Sequence, residues 1–83
     1  MTSEQVKSLI EQGIEGAEAF VDGDDAHFVA RVVTDAFVGK SMVGQHQMVY
    51  AALGDSFEDA IHALSLQTYT REQWAMAAKL QVM

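Results

Sequence analysis

The spacing between two strand-like runs constrains this fold more than any other feature of the sequence. The run His27–Phe37 is rich in valine, and the run Ile61–Tyr69 is also apolar, which favours β structure in both. Roughly twenty residues with helical periodicity separate them, and parallel neighbours need a crossover of about this length. The sequence therefore predicts a parallel strand pair in which both strands start at the same edge of the sheet.

An additional strand is predicted before this pair. Residues 17–22 form a short apolar run, and an Asp22-Gly23 pair follows it. Asp-Gly between apolar runs is typical of a hairpin because glycine adopts positive φ at little cost. This strand and His27–Phe37 are therefore predicted to pair antiparallel.

Helices are predicted before and after these strands in the sequence. Residues 2–12 carry apolar side chains at helical spacing, with Thr2 and Gln5 placed to form a capping box. Thr70 and Gln73 repeat the capping pattern before a last helix, whose predicted buried side carries Trp74, Ala77, Ala78 and Leu80.

The crossover itself is predicted to hold an amphipathic helix over Ser41–Leu53 and a further short helical turn at Phe57–Ala60. The apolar residues of the longer helix recur at three- and four-residue spacing: Met42, Val43, Val49, Tyr50 and Leu53. The full order is α-β-β-α-(α)-β-α around a three-stranded mixed sheet. Residues 1–83 are expected to form a single α/β (α+β) domain.

Composition excludes several classes of function. The formal net charge is −7, and the five basic residues are scattered singly, so strong non-specific binding to nucleic acid or to an anionic membrane is disfavoured. There is no cysteine, and no apolar run is long enough to span a bilayer. The N-terminus lacks the pattern of a secretory signal, which leads us to expect a cytoplasmic protein.

Two of the three histidines are predicted to share one edge of the sheet. His27 opens the second strand and His62 opens the third, so the parallel arrangement brings both to the same edge. Two imidazoles suit a transition metal or an iron–sulfur cluster, but they leave its coordination incomplete, so a partner would have to supply further ligands. The alternative interpretation is a solvated loop residue for His27 and a half-buried strand residue for His62.

The third histidine, His46, falls between Val43 and Tyr50 on the apolar face of the crossover helix. A packed, largely buried histidine with a structural role is the favoured interpretation, and a secondary binding site is the alternative. Replacing it with alanine is expected to cost on the order of 1–3 kcal/mol of stability.

Catalytic motifs are poorly matched. No G-x-S-x-G sequence is present. A calcium loop counted from Asp22 would need glutamate at position 33, where Val33 stands, and a P-loop ending at Gly39-Lys40-Ser41 would need glycine where Thr34 stands. We therefore expect a protein without catalytic activity.

Three segments together resemble the BolA family: residues 37–53 (FVGKSMVGQHQMVYAAL), residues 61–65 (IHALS) and residues 69–74 (YTREQW). The similarity covers roughly residues 5 to 79. The segment Asp25-Ala26-His27-Phe28 resembles the branch of the family that carries histidine in the hairpin loop.

The resemblance implies a fold like the class II KH domain and a monothiol glutaredoxin as partner. In such complexes a [2Fe–2S] cluster bridges the two proteins. Glutaredoxin and glutathione supply thiolates, and the BolA protein supplies the strand histidine, here His62, with His27 as the candidate second ligand. No cluster is then expected on this chain alone, which would be a monomer or a weak homodimer.

The resemblance also implies an alternative function, because some family members are DNA-binding transcriptional regulators. Lys40 is the candidate nucleic-acid contact. Many relatives carry a basic residue just before the helix histidine, whereas this chain has Gly44-Gln45 there. This departure and the acidic net charge put direct DNA binding in doubt.

Overall fold

The computed structural model describes residues 2–24, 27–54 and 63–82. Within these ranges lie three α-helices, three β-strands and one 3-10 turn. In chain order they are α1 (Ser3–Gly13), β1 (Glu18–Asp24), β2 (His27–Val33), the 3-10 turn (Asp35–Phe37), α2 (Met42–Leu53), β3 (Ala63–Tyr69) and α3 (Arg71–Val82).

The sheet has the strand order β1-β2-β3, with β1 and β2 antiparallel and β2 and β3 parallel. His27 pairs with Ala63 at the start of the parallel ladder, and Val33 pairs with Tyr69 at its end. The predicted hairpin and the predicted parallel pair are therefore both confirmed. The mixed α+β architecture is confirmed with them.

The core lies between the sheet and the helices α1 and α2. Phe28, Ala30 and Val32 alternate along β2 on the buried face, as expected for a strand that covers a core on one side. Gly13 ends α1 where that helix meets α2, and a Cβ atom there would lie 2.5 Å from the Cβ atom of Ala52. The helices can approach this closely because Gly13 has no side chain.

The helix α3 packs on the opposite face of the sheet. The Trp74 ring stacks on Phe20 of β1 at 5.2 Å and meets Tyr69 of β3 edge-on at 5.2 Å. The Arg71 guanidinium donates to the Glu18 carboxylate at 3.2 Å and to the Gly16 carbonyl at 2.9 Å. These contacts hold α3 against this face of the sheet at both β1 and β3.

Both predicted caps are present. The Thr2 hydroxyl accepts from the Gln5 amide while Gln5 accepts from the Thr2 amide, and Thr70 and Gln73 make the same reciprocal pair before α3. These bonds satisfy amide groups that the first turn of a helix leaves without partners.

The second strand ends earlier than the sequence predicts, at Val33 rather than at Phe37. The Thr34 hydroxyl accepts from the Ala36 amide and donates to the Glu15 carbonyl, so the chain turns into a 3-10 turn there. Phe37, predicted as a strand residue, is instead fully buried at the end of that turn. The predicted helical turn Phe57–Ala60 lies outside the described residues.

The buried face of α2 also differs from the prediction. Met42 and Val43 are 60% and 67% exposed, whereas Gln45, Val49 and Leu53 are buried. Gln45 can occupy a core position because both ends of its amide form hydrogen bonds there, and burial of a polar group costs little when it is so paired.

Candidate functional site

His27 stands exposed at the edge where β2 and β3 begin. Its Cα partners are Asp24 on β1 and Ala63 on β3. His62 lies outside the described residues, and it directly precedes Ala63 in the chain. We refer to this edge, defined by His27 and Ala63, as the histidine end of the sheet.

Gly23 sets the local course of the chain at the histidine end. Its φ of +116° lies in the region that favours glycine, and a Cβ atom there would collide with the backbone of His27 and Phe28. The hairpin strand therefore passes close to the backbone of His27, which holds the start of β2 in place.

The histidine end does not form a complete metal site from the described residues. Within residues 2–24, 27–54 and 63–82, no three side chains of histidine, aspartate or glutamate come together at metal-binding distance. An exposed imidazole on a chain without cysteine suits a metal centre whose other ligands come from a second molecule. The donor set thus fits a shared centre better than a closed one.

The opposite end of the sheet is held by a buried hydrogen-bond network, and we call it the Gln45 end. The Gln45 amide nitrogen donates to the Lys40 carbonyl at 3.0 Å and to the Phe37 carbonyl at 3.5 Å, while its oxygen accepts from the Thr68 hydroxyl at 2.6 Å. One side chain therefore ties the loop before α2 to both α2 and β3.

Lys40, the candidate nucleic-acid contact, is exposed in this loop. It is the one basic residue between Gly39 and Gln47 in the sequence. Two of the other cations are engaged with acids: Lys7 with Glu11 at 2.9 Å, and Arg71 with Glu18. The region around Lys40 therefore presents a single positive charge rather than a basic stripe.

His46 is half-buried rather than largely buried, so this prediction was only partly correct. Its Nε2 atom is buried and has no hydrogen-bond partner within the described part of the chain. The ring meets Tyr50 edge-on, with 6.3 Å between the centroids. The neighbouring residue Gln45 contacts Thr68 near the end of β3, whereas His27 pairs with Ala63 at the start of that strand.

A cleft of about 290 Å³ lies at the Gln45 end of the sheet. One of its lining carboxylates, Asp35, lies 3.9 Å from the Arg71 guanidinium, which also contacts Glu18 outside the cleft at 3.2 Å. The cleft is lined by Glu15, Gly16, Thr34, Asp35, Ala36 and Arg71. Carboxylates paired with an arginine are poorly placed for general acid or base catalysis.

The family model described as BolA-like protein matches residues 6–73 of this chain. The chain belongs to the BolA family. A solved BolA protein homologue from Coxiella burnetii is 37% identical with a TM-score of 0.83, over 90% of this chain and 97% of the homologue. The fold expected from the sequence is therefore the fold of this family.

Two further BolA relatives bear on function. The DNA-binding transcriptional regulator BolA of Escherichia coli (strain K12) is 36% identical over 52 residues, which are 63% of this chain and 50% of the regulator. The BolA domain of SufE1 from Arabidopsis thaliana is 29% identical with a TM-score of 0.73, over 84% of this chain and 92% of the domain. The chain thus spans half the length of the regulator and nearly all of the plant domain.

Within this BolA chain, sequence reasoning missed the role of Gln45. A lone glutamine on a helix resembles a solvated residue, and only its position between two apolar neighbours one turn away could have indicated burial.

No helix among the described residues is long and apolar enough to cross a membrane.

Proposed function

We propose that this protein is a non-catalytic partner of a monothiol glutaredoxin and shares a bridging [2Fe–2S] cluster with it, in iron–sulfur cluster trafficking or iron regulation in the cytoplasm. His62 is the proposed principal ligand and His27 the second. The observation that carries the proposal is the pairing of His27 with Ala63, the residue that follows His62, at an exposed edge of a cysteine-free chain.

The chemistry of the donor set supports a shared cluster. Imidazole nitrogens can replace thiolates on one iron of a [2Fe–2S] cluster, but they do not by themselves complete the coordination of both irons. Glutaredoxin and its bound glutathione would supply the thiolates. This chain would then bind the cluster only in the heterocomplex, and its histidines would raise the reduction potential relative to an all-thiolate cluster.

A plant relative gives further support. A BolA domain occurs in SufE1 of Arabidopsis thaliana, and we take its presence in a SufE-like protein as support for an iron–sulfur role. That domain resembles this chain over most of both lengths. The same link is proposed here for an isolated BolA domain.

The test is reconstitution of the cluster on a mixture of this protein and a monothiol glutaredoxin with glutathione. Visible circular dichroism of the oxidised complex and electron paramagnetic resonance of the reduced complex report the ligands. His62→Ala should shift both spectra towards those of the glutaredoxin homodimer or abolish the complex. His27→Ala should act in the same direction but more weakly, because water or another group can replace an exposed ligand.

His46→Ala is the matched control, because it removes an imidazole at a distance from the histidine end. Far-ultraviolet spectra must first show that each variant is folded. Unchanged spectra of the folded His62→Ala complex would remove His62 as a ligand. An unchanged His27→Ala complex would leave His62 as the single ligand from this chain.

DNA-binding transcriptional regulation is the second candidate function, favoured by the similarity to the DNA-binding transcriptional regulator of E. coli and by the exposed Lys40 before α2. The formal charge of −7 and the single cation in this region oppose it. Affinity for duplex DNA should be weak and strongly dependent on salt. Tight, sequence-specific binding at physiological salt, lost in Lys40→Ala, would reverse the order of the two candidates.

A further inference from the structure

The helix α3 is more exposed than the two helices that cover the core. Ile10 of α1 and Val49 of α2 are fully buried in the core. Among the side chains of α3 that the structure describes, those of residues 71–79, Trp74 and Ala77 are half-buried and the others are exposed. The described part of α3 is therefore attached to the sheet by a small number of contacts.

One attachment of α3 is aromatic. The Trp74 ring stacks on Phe20 with an interplanar angle of 16° and meets Tyr69 edge-on, and both centroid distances are 5.2 Å. Ring pairs of this kind contribute to stability beyond the area that they bury. Phe20 nevertheless stays 43% exposed beside the helix, so water reaches this stack.

A second attachment is a clamp formed by Arg71 in the first turn of α3. The Arg71 guanidinium donates to the Glu18 carboxylate at 3.2 Å and to the Gly16 carbonyl at 2.9 Å, and its Nε atom lies 3.9 Å from Asp35. The side chains of Arg71, Glu18 and Asp35 are 48%, 57% and 70% exposed. Ion pairs with this exposure contribute little to stability and are screened by salt. The clamp therefore orients the start of α3 but holds it weakly.

The backbone of α3 does not tie the helix to the sheet. Its hydrogen bonds run within the helix, as in any α-helix, and Thr70 and Gln73 cap its start through bonds within the same segment. The sequence REQWAMAAKLQV is rich in strong helix formers, but a helix of 12 residues is marginal in water without packing. Separation of α3 from the sheet thus breaks side-chain contacts and no strand ladder.

Separation of α3 would uncover apolar surface on the face that carries His27. His27, Val29 and Arg31 are exposed alternately along β2. Arg31 pairs with Phe20 on β1, so these side chains share the face on which α3 packs. Val29 is already 45% exposed. Removal of the Trp74 ring would add Phe20 to the apolar surface that Val29 begins.

We propose that α3 is a displaceable cover. It opens away from the sheet as one unit while α1, α2 and the three strands stay folded, and this local opening exposes Phe20 on the face that carries His27. Opening breaks the aromatic stack and the Arg71 clamp together, because Arg71 and Trp74 both lie within the first four residues of the helix. The cover thereby sets how much apolar surface the chain presents on this face. The proposal concerns the chain by itself and does not depend on the glutaredoxin proposal.

The test combines hydrogen exchange of the full chain with the fluorescence of Trp74, the only tryptophan in the sequence. Under native conditions, the amides of α3 from Trp74 onwards should be protected about a hundredfold less than those of the central strand β2. In urea, the Trp74 emission should shift to the red at concentrations at which the β2 amides are still protected. A single transition shared by both probes, with equal protection in α3 and β2, would overturn the proposal.

Two substitutions weaken the two attachments, and each has a control. Arg71→Gln removes the clamp, and Lys79→Gln removes a positive charge from an exposed position elsewhere on α3. Phe20→Leu replaces the stacked ring with an aliphatic side chain, and Val29→Ala shortens an exposed apolar side chain that pairs with Asp22 instead. Arg71→Gln and Phe20→Leu should each speed the exchange of all α3 amides about fivefold, and the controls should change it less than about twofold.

Salt distinguishes the clamp from a general loss of stability. Raising the sodium chloride concentration from about 0.05 M to about 0.5 M should speed α3 exchange in the unmodified chain and have little effect in Arg71→Gln, which lacks the ion pairs that salt screens. Exchange that is fast only at the C-terminal end of α3 and is unaffected by both substitutions would mean fraying of the helix end. Rates that rise equally in α3 and β2 would mean global unfolding. Either result would overturn the proposal, and neither bears on the cluster proposal, whose readout is the spectrum of the glutaredoxin complex.

Discussion

The two ends of the sheet are built in contrasting ways. At the Gln45 end, polar groups are buried and bonded to one another: Gln45 joins Lys40, Phe37 and Thr68. At the histidine end, the His27 side chain is exposed. The same two strands, β2 and β3, connect both ends.

This contrast separates stability from binding within one small fold. The hydrogen bonds at the Gln45 end satisfy groups that would otherwise be buried without partners, so these bonds stabilise the folded state of the chain. An exposed imidazole contributes little to folding and remains available to a second molecule. The comparison predicts large stability effects from substitutions at one end and functional effects without stability effects at the other.

The largest expected effect is that of Gln45→Ala, which should lower the free energy of unfolding by about 3 kcal/mol. The substitution removes a buried side chain and leaves the Thr68 hydroxyl and the Lys40 carbonyl without their partner. His27→Ala should change the same quantity by less than about 0.5 kcal/mol, because its side chain is exposed. Urea denaturation followed by circular dichroism measures both.

Gln47→Ala provides the control for Gln45→Ala, since Gln47 is exposed on the same helix. It should match the unmodified chain within about 0.5 kcal/mol. If Gln45→Ala were as stable as Gln47→Ala, the network would contribute nothing and the contrast between the two ends would be wrong.

The next largest loss of stability is expected at Gly23, where a substitution tests whether the backbone conformation at the histidine end is constrained. Gly23→Ala should cost about 2 kcal/mol or more, because a side chain at φ +116° is strained and its Cβ atom meets the His27 backbone. Gly39→Ala should cost only about 1 kcal/mol, since its φ is +80° but no atom lies within 4 Å of the added Cβ. Equal losses in the two variants would show that close packing against β2 is unimportant.

The topology of this protein could be predicted from its sequence because it depends on local signals. The Asp22-Gly23 pair marked the hairpin, the length of the crossover marked the parallel pair, and Thr2 and Thr70 marked two helix starts. Each of these signals acts within a few residues or follows from chain connectivity. That is why the strand order and the common start of β2 and β3 were predicted correctly.

The errors arose where tertiary contacts outweigh apolar periodicity. Helical spacing placed Met42 and Val43 on the buried side of α2, yet the sheet contacts the side that carries Gln45. Burial of Gln45 depends on partners up to 23 residues away in sequence, which no local pattern reveals. The early end of β2 likewise depends on the bond from Thr34 to the distant Glu15 carbonyl. The roles of His62 and His27 as ligands stay predictions.

A smaller loss of stability is expected on substitution of His46, and the structure narrows the range of stability loss that the sequence predicts. The half-buried ring should make His46→Ala cost about 1 kcal/mol through lost packing. Because Nε2 lacks a partner among the described residues, His46→Leu should lie within about 0.5 kcal/mol of the unmodified chain. A loss of 2 kcal/mol or more in His46→Leu, measured in the same urea series, would reveal a polar partner for this ring.

The smallest effect concerns Glu11, whose carboxylate joins α1 to the start of β1 near the Gln45 end. Its hydrogen bond with the Lys7 ammonium, and then its bond from the Ala19 amide, lower the pKa of Glu11 below its ordinary value of 4.5. A carboxyl group with a lowered folded-state pKa stabilises the protein above its unfolded-state pKa, and this contribution is lost as the pH falls through the folded-state pKa.

Glu11→Gln retains an acceptor for Ala19 but loses the ion pair with Lys7, which is largely exposed, so the cost at pH 7 should be only about 0.5 kcal/mol. The difference from the unmodified chain should shrink as the pH is lowered below 4.5, where the unmodified carboxyl group also becomes neutral. Glu15→Gln removes the same charge from an exposed residue nearby and serves as the control in urea melts from pH 7 down to acid. A Glu11→Gln deficit that stays constant across this range would mean that shape, and not charge, accounts for the effect of Glu11.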